Sequence, residues 1–212
     1  MANNTTTNTD NEKNDTSNKR ELSPRRGKAT TDVNVLLAKT EAKLIQTELL
    51  LSVTQKIAGL KNLSEILWTL LEMTTSELDA DRGSLFLNDA LTGELYSRVA
   101  QGDLTREIRI LNTTGIAGAV FQNGTGEIVH DAYSDDRFDP SVDEQTGYVT
   151  KNIVCAPVRT VRNDVIGVIQ ILNKKKGRFT KEDLEIVEAI TLQAAVSLQN
   201  AQGLEEMVKT RE

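Results

Sequence analysis

Between Asp131 and Thr150 the chain gathers carboxylates, hydroxyls and aromatic rings, and sets them between two β-type apolar segments, one opening at Gly126 and one running from Asn152 to Val158. Polar side chains carried over a rigid sheet by a loop are common material for a binding site. The stretch reads Asp131-Ala132-Tyr133, then Phe138-Asp139-Pro140, then Asp143-Glu144-Gln145-Thr146-Gly147-Tyr148-Val149-Thr150, so a loop that caps a ligand is expected. No histidine, cysteine or lysine lies inside it. Hydrolytic or transfer chemistry needs a base or nucleophile in reach, so no catalytic residue is assigned and a sensor is expected before an enzyme.

Hydrophobic period supplies the frame around that loop. Thr31 to Leu60 is free of proline and repeats Leu37, Leu44 and Leu51 at seven-residue spacing, which predicts a long helix. A second helix is expected after Asn62 or Ser64, ending before Asp79-Ala80-Asp81-Arg82-Gly83. The period then changes. Ser84–Leu87, Glu94–Ala100 and Glu107–Ile110 read as antiparallel strands, Gly115–Phe121 as a short helix, and Gly126–His130 as the next strand. Asn152–Val158 and Val165–Leu172 form a hairpin across Thr160 to Asp164, with Pro157 marking an edge or a bulge. A last helix starts after Thr180, an N-cap with Asp183 three residues on, and carries its apolar stripe to Leu204.

Composition divides sharply near residue 30. The first 28 residues hold one large aliphatic side chain, Leu22, too little apolar surface to offset the entropy of ordering, so a disordered tail is expected over residues 1–30. Nothing there has the apolar core of a secretory signal, and no apolar run reaches the ~20 residues of a membrane helix, which predicts a cytoplasmic protein without membrane insertion. A net charge of -6 argues against a nucleic-acid binder, whose affinity rests on clustered Lys and Arg. The local cluster Lys174-Lys175-Lys176-Gly177-Arg178 reads as a solvated turn. Cys155 is the only cysteine, so it forms no internal disulfide. Set in an apolar run, it reads as a buried, inert thiol.

The order of Gly115-Ile116-Ala117-Gly118, Asp131-Ala132-Tyr133, Asp143-x-x-Thr146-Gly147-Tyr148-x-Thr150, the apolar hairpin, Phe179 and Asp183 resembles that of a GAF domain, over about Leu60 to Ala201. More narrowly, it resembles the cyclic-nucleotide-binding GAF domains of phosphodiesterases and of cyanobacterial adenylyl cyclases. Their signature of Asn-Lys, Phe and Asp-Glu stands here as Asn173, Lys174, Phe179 and Asp183, with Leu184 in place of the glutamate. The resemblance implies an α+β GAF fold: a central six-stranded antiparallel sheet, helices on one face, a ligand-capping loop and short helices on the other, and long terminal helices at its flanks. It divides the chain into the tail 1–30, a linker and dimerisation helix 31–60, the GAF domain 61–201, and the start of a C-terminal linker helix 202–212.

The same resemblance implies a cyclic nucleotide beneath the acidic loop, with Ile116 and Ala117 offering backbone N–H groups to its phosphate. Tyr133, Asp143, Thr146 and Thr150 would cover the ligand, Ser84, Gln101 and Gln170 would stand near the purine, and Lys174 would pair with Asp183. No arginine stands at the phosphate position, so binding is expected to rest on backbone donors. A glutamine both donates and accepts where an ionised glutamate only accepts, so Gln170 leans the choice to cAMP over cGMP. The expected protein is a regulatory homodimer without metal or other cofactor, passing loop closure through its terminal helices to an effector such as an adenylyl cyclase. The alternative is a ligand-free dimerisation and interaction module in a signalling protein such as a sensor kinase. A bilin site, with Cys155 and the lone His130 far apart, and a methionine sulfoxide reductase, which needs several cysteines, are both excluded.

Overall fold

The computed structural model describes residues 25–60, 62–102 and 107–209, with side chains described between Thr31 and Ala201. The expected tail therefore lies largely outside the described residues. In chain order the elements are α1 (Arg25–Ile57), α2 (Leu63–Glu77), β1 (Ala80–Asp89), β2 (Glu94–Ala100), β3 (Arg109–Leu111), α3 (Gly115–Asn123) and β4 (Glu127–Val129). A 3-10 turn (Ala132–Ser134), α4 (Ser141–Thr146), β5 (Ile153–Arg159), β6 (Val165–Lys174) and α5 (Lys181–Lys209) complete the order.

The strands form one six-stranded sheet in the order β3-β2-β1-β6-β5-β4, and every pairing is antiparallel. The runs in β5 and β6 are almost wholly apolar, rather than alternating, because the sheet is covered on both faces. Successive side chains still point to opposite sides. Val154, Ala156 and Val158 join Ile169 and Ile171 in the larger core, under α2 and α5. Ile153 and Cys155 join Val168 and Phe86 in a smaller core under α3. Burial pushes the Cys155 thiol far up, so it stays protonated and inert.

Pro157 sits in β5 beyond the reach of β4, which pairs only with Ile153, Val154 and Cys155. At that point β5 has a ladder neighbour on one side alone, so the missing N–H costs no hydrogen bond. The N-terminus of α5 is closed reciprocally: the Thr180 N–H donates to Asp183 Oδ2 at 2.8 Å and the Asp183 N–H donates to Thr180 Oγ1 at 3.3 Å.

Two element boundaries differ from expectation, while α5 runs on to Lys209, as a helix carried nearly to the end should. The first helix starts at Arg25 rather than Thr31. The described residues also divide into compact units between Thr40 and Glu41. The second half of α1 belongs with the sheet domain: Val53 and Ile57 are buried in its larger core, and Gln46 Nε2 donates to the Glu185 carbonyl of α5 at 3.1 Å. Lastly, β1 begins at Ala80, so within the acidic stretch read as a break between helix and strand Ala80, Arg82 and Gly83 pair with Lys174, Leu172 and Ile171 of β6. Among the described residues no helix is long and apolar enough to cross a membrane.

Candidate ligand-binding site

A cavity of about 110 Å³ lies between the sheet and the Asp131–Thr150 segment. Its floor comes from alternate positions of neighbouring strands, because only every second side chain faces it: Arg82, Ser84 and Phe86 of β1, Gln170 and Leu172 of β6, and Ile153 of β5. The start of α3 forms one wall. Phe138, Val142, Asp143, Thr146, Tyr148 and Thr150 form the lid.

Which side chains could recognise a ligand depends on which polar atoms are already engaged. Gln101 is occupied: its Oε1 accepts the Gly83 N–H at 2.8 Å and its Nε2 donates to Thr75 Oγ1 at 3.3 Å. Thr146 is occupied too, donating to the Val142 carbonyl at 2.8 Å. The Asp143 carboxylate takes the Thr150 N–H at 2.6 Å on Oδ2, the Thr150 hydroxyl at 2.8 Å on Oδ1 and the Tyr133 hydroxyl at 3.1 Å on Oδ2. Asp143 is 7% exposed and Thr150 3%. These two residues staple the lid closed from within, rather than waiting in solvent for a ligand.

Tyr133 departs from expectation. It is 57% exposed and does not line the cavity. Its ring packs against Phe138 at a tilt of 57°, centroids 5.0 Å apart, and it is Phe138 that faces inward.

Among the described residues, the side chains of Ser84, Thr114 and Gln170 have no hydrogen-bond partner, and that of Arg82 has only the ring of Tyr148, its guanidinium carbon 4.1 Å from the centroid. No fully buried side-chain polar atom is left unpaired among them, so these groups face open space in the cavity. Beside them is the start of α3. Gly115 has φ +72 and is followed directly by the right-handed helix, a pair of conformations that turns successive N–H groups into one anion-holding concavity. The positive φ favours glycine there. Thr114 gives α3 no side-chain cap, so the N–H groups of Ile116 and Ala117 have no intrahelical partner.

The cavity thus combines backbone donors for an anionic group with an arginine, a hydroxyl and an amide for a polar ring edge. Arg82, Thr114 and Tyr148 were not singled out in the sequence. For Arg82 the available signal was its i, i+2 relation to Ser84, which places both on one face once β1 is extended back to Ala80.

The signature residues lie outside the cavity and tie the lid to α5. Asn173, with φ +57, accepts the Lys151 N–H on Oδ1 at 2.7 Å and donates from Nδ2 to the Val149 carbonyl at 2.8 Å. The next residue, Lys174, donates to Asp183 Oδ2 at 2.7 Å and Oδ1 at 2.9 Å, with its ammonium 5.7 Å from the Phe179 ring centre. Leu184, in place of the signature glutamate, packs against the larger core. At the other end of the lid, Arg137 bridges Glu127 of β4 at 2.7 Å and Asp135 at 2.9 Å.

Comparison with known proteins identifies the family and the fold. The family model described as GAF domain matches residues 62–198. The chain belongs to the GAF family. Relatives include a Caenorhabditis elegans protein named "Probable 3',5'-cyclic phosphodiesterase pde-5", 40% identical over 58% of this chain and 18% of that protein. Another is the dual 3',5'-cyclic-AMP and -GMP phosphodiesterase 11 of Drosophila melanogaster, 32% identical over 78% of this chain and 13% of its own length. This GAF protein therefore spans less than a fifth of the curated relatives it matches. Among solved structures, the GAF domain of a phosphoenolpyruvate-protein phosphotransferase from Coxiella burnetii aligns with a TM-score of 0.69 at 19% identity, covering 76% of this chain and 96% of that one. At that identity the likeness concerns the fold alone.

Proposed function

We propose that this chain is a regulatory module that binds a cyclic nucleotide and reports its presence through closure of the Asp131–Thr150 lid. The observation that carries the reading is the set of groups without a hydrogen-bond partner in one cavity: the Ile116 and Ala117 N–H groups for a cyclic phosphate, and the Ser84, Gln170 and Arg82 side chains for a purine edge. A small-molecule site begins at about 300 Å³, whereas the enclosed space here is about 110 Å³. A nucleotide therefore enters by lifting the lid. Its grip then alters the lid's hold on Asn173, and the Lys174–Asp183 pair passes that change to α5. The chain carries no catalytic role in this reading. The enzyme it governs, an adenylyl cyclase or a phosphodiesterase, lies outside it. Because the Gln170 amide both donates and accepts, cAMP is favoured over cGMP.

The module acts as an allosteric homodimer. In α1, Leu44 and Leu51 are 57% and 58% exposed although Val53 and Ile57 of the same helix are buried. The Thr40, Thr47 and Thr54 hydroxyls bond back to the carbonyls of Leu36, Lys43 and Leu50 at 2.8–2.9 Å. With those donors satisfied, the leucines and threonines alternate at coiled-coil spacing along an apolar seam. Cutting the chain at residue 60 would remove core residues, so the seam is tested by the paired change Leu44→Glu and Leu51→Glu. A shift from dimer to monomer in sedimentation, with the melting temperature of the domain retained, is expected; an unchanged dimer contradicts the seam.

Thermal melts with cAMP, cGMP and 5'-AMP test the ligand. A ligand that binds only the folded state adds about 2.7 kcal/mol at a hundredfold excess over Kd. Stabilisation by a cyclic nucleotide and not by 5'-AMP is expected. Melts indifferent to all three would leave the apolar seam as the functional surface.

A further inference from the structure

We infer that Asp81, Arg82 and Tyr148 form a clasp that sets how often the lid opens, and so how fast a ligand enters and leaves. The inference rests on the cyclic-nucleotide reading for its ligand but not for its motion. Tyr148 is the lid's attachment to the far edge of the cavity: its hydroxyl donates to Asp81 Oδ2 at 2.8 Å, and its ring lies under the Arg82 guanidinium, 4.1 Å from centroid to carbon. Burial, reinforced by the Asp81 carboxylate, pushes the phenol well above its ordinary value, so it remains a hydrogen-bond donor throughout the working pH range.

The lid's other attachments differ in kind. Arg137 fixes its first half to β4, Asn173 fixes its exit to β6, and Asp143 holds it to itself. Among the described residues only the clasp spans from the lid to the start of β1 beside the cavity's polar groups. Asp81 is exposed and does not line the cavity. A cation over an aromatic face and a hydrogen bond to a carboxylate are each modest near water. They suit a contact that must break and reform rather than one that fixes the fold. Tyr148 also touches the cavity while Asp81 does not, so the two ends of one hydrogen bond can be cut with and without changing the ligand's surroundings.

Asp81→Ala and Tyr148→Phe remove that hydrogen bond from opposite ends. In the unliganded protein each is expected to raise hydrogen exchange of the backbone amides of 143–150 by about three- to tenfold, and the double variant no more than either single, since both delete one interaction. Stopped-flow binding of a methylanthraniloyl-cAMP probe should then show on- and off-rates rising together in Asp81→Ala, with Kd within about twofold. Unchanged lid exchange in both singles, additive effects in the double, or a change in off-rate alone would overturn the clasp. If the probe does not bind even the unaltered protein, the cyclic-nucleotide reading falls, and the exchange data alone decide whether the clasp holds the lid.

Discussion

Phe179→Ala is expected to lower the free energy of unfolding by about 3 to 5 kcal/mol, the usual cost of deleting a buried phenyl ring. Phe179 is 2% exposed and lies in the larger core with Ile190, Val187 and Ile171, at the point where the chain leaves β6 for α5. Two losses combine there. The cavity left by the ring is walled by strand and helix residues that cannot collapse into it, and the Lys174 ammonium loses the aromatic face at 5.7 Å. Urea denaturation at constant slope measures the change. A loss under about 1 kcal/mol would mean that the junction relaxes around the gap and is not a rigid link between sheet and helix.

Asp143→Ala is expected to destabilise the unliganded protein by about 1 to 3 kcal/mol, because the Thr150 N–H and hydroxyl would be left buried without their acceptors. The same change should weaken cyclic-nucleotide binding more than tenfold by releasing the lid. From the sequence, Asp143 and Thr150 read as polar loop residues that return to water at little cost. Their burial reverses that expectation for the free protein. Asp143→Asn keeps one carbonyl acceptor, so it should fall between the wild type and the alanine variant. Equal melting temperatures for all three would show that the staple contributes nothing until a ligand is bound.

The contrast between those two residues shows what the sequence could and could not disclose. The β5–β6 hairpin was legible because apolar runs have few destinations other than a core, whereas Phe179, flanked by Arg178 and Thr180, and Gln170, on the face opposite Ile169 and Ile171, were named through the family resemblance. The short helix α3 was legible from its glycine- and alanine-rich start, while the role given to Ile116 and Ala117 came with the family resemblance. For polar loop residues, type says little about exposure. Asp143, Thr146 and Gln101 have the chemistry of ligand contacts, yet engage protein groups that lie far away in sequence or are hidden by a turn. Arg82 was missed for a related reason. Asp79-Ala80-Asp81-Arg82-Gly83 has the composition of a linker, and its pairing with β6 is a tertiary effect that overrides local propensity. In α1 the buried stripe through Val53 and Ile57 and the exposed stripe through Leu44 and Leu51 are equally apolar, and only packing tells them apart.

Titration calorimetry of the unaltered chain with cAMP and with cGMP, each carried to millimolar concentration, tests the central claim most directly. One saturable site per protomer is predicted, tighter for cAMP, and weakened in Gln170→Ala while the melting temperature of the free protein stays unchanged. The absence of binding heat and of any thermal shift with either nucleotide across that range would contradict it.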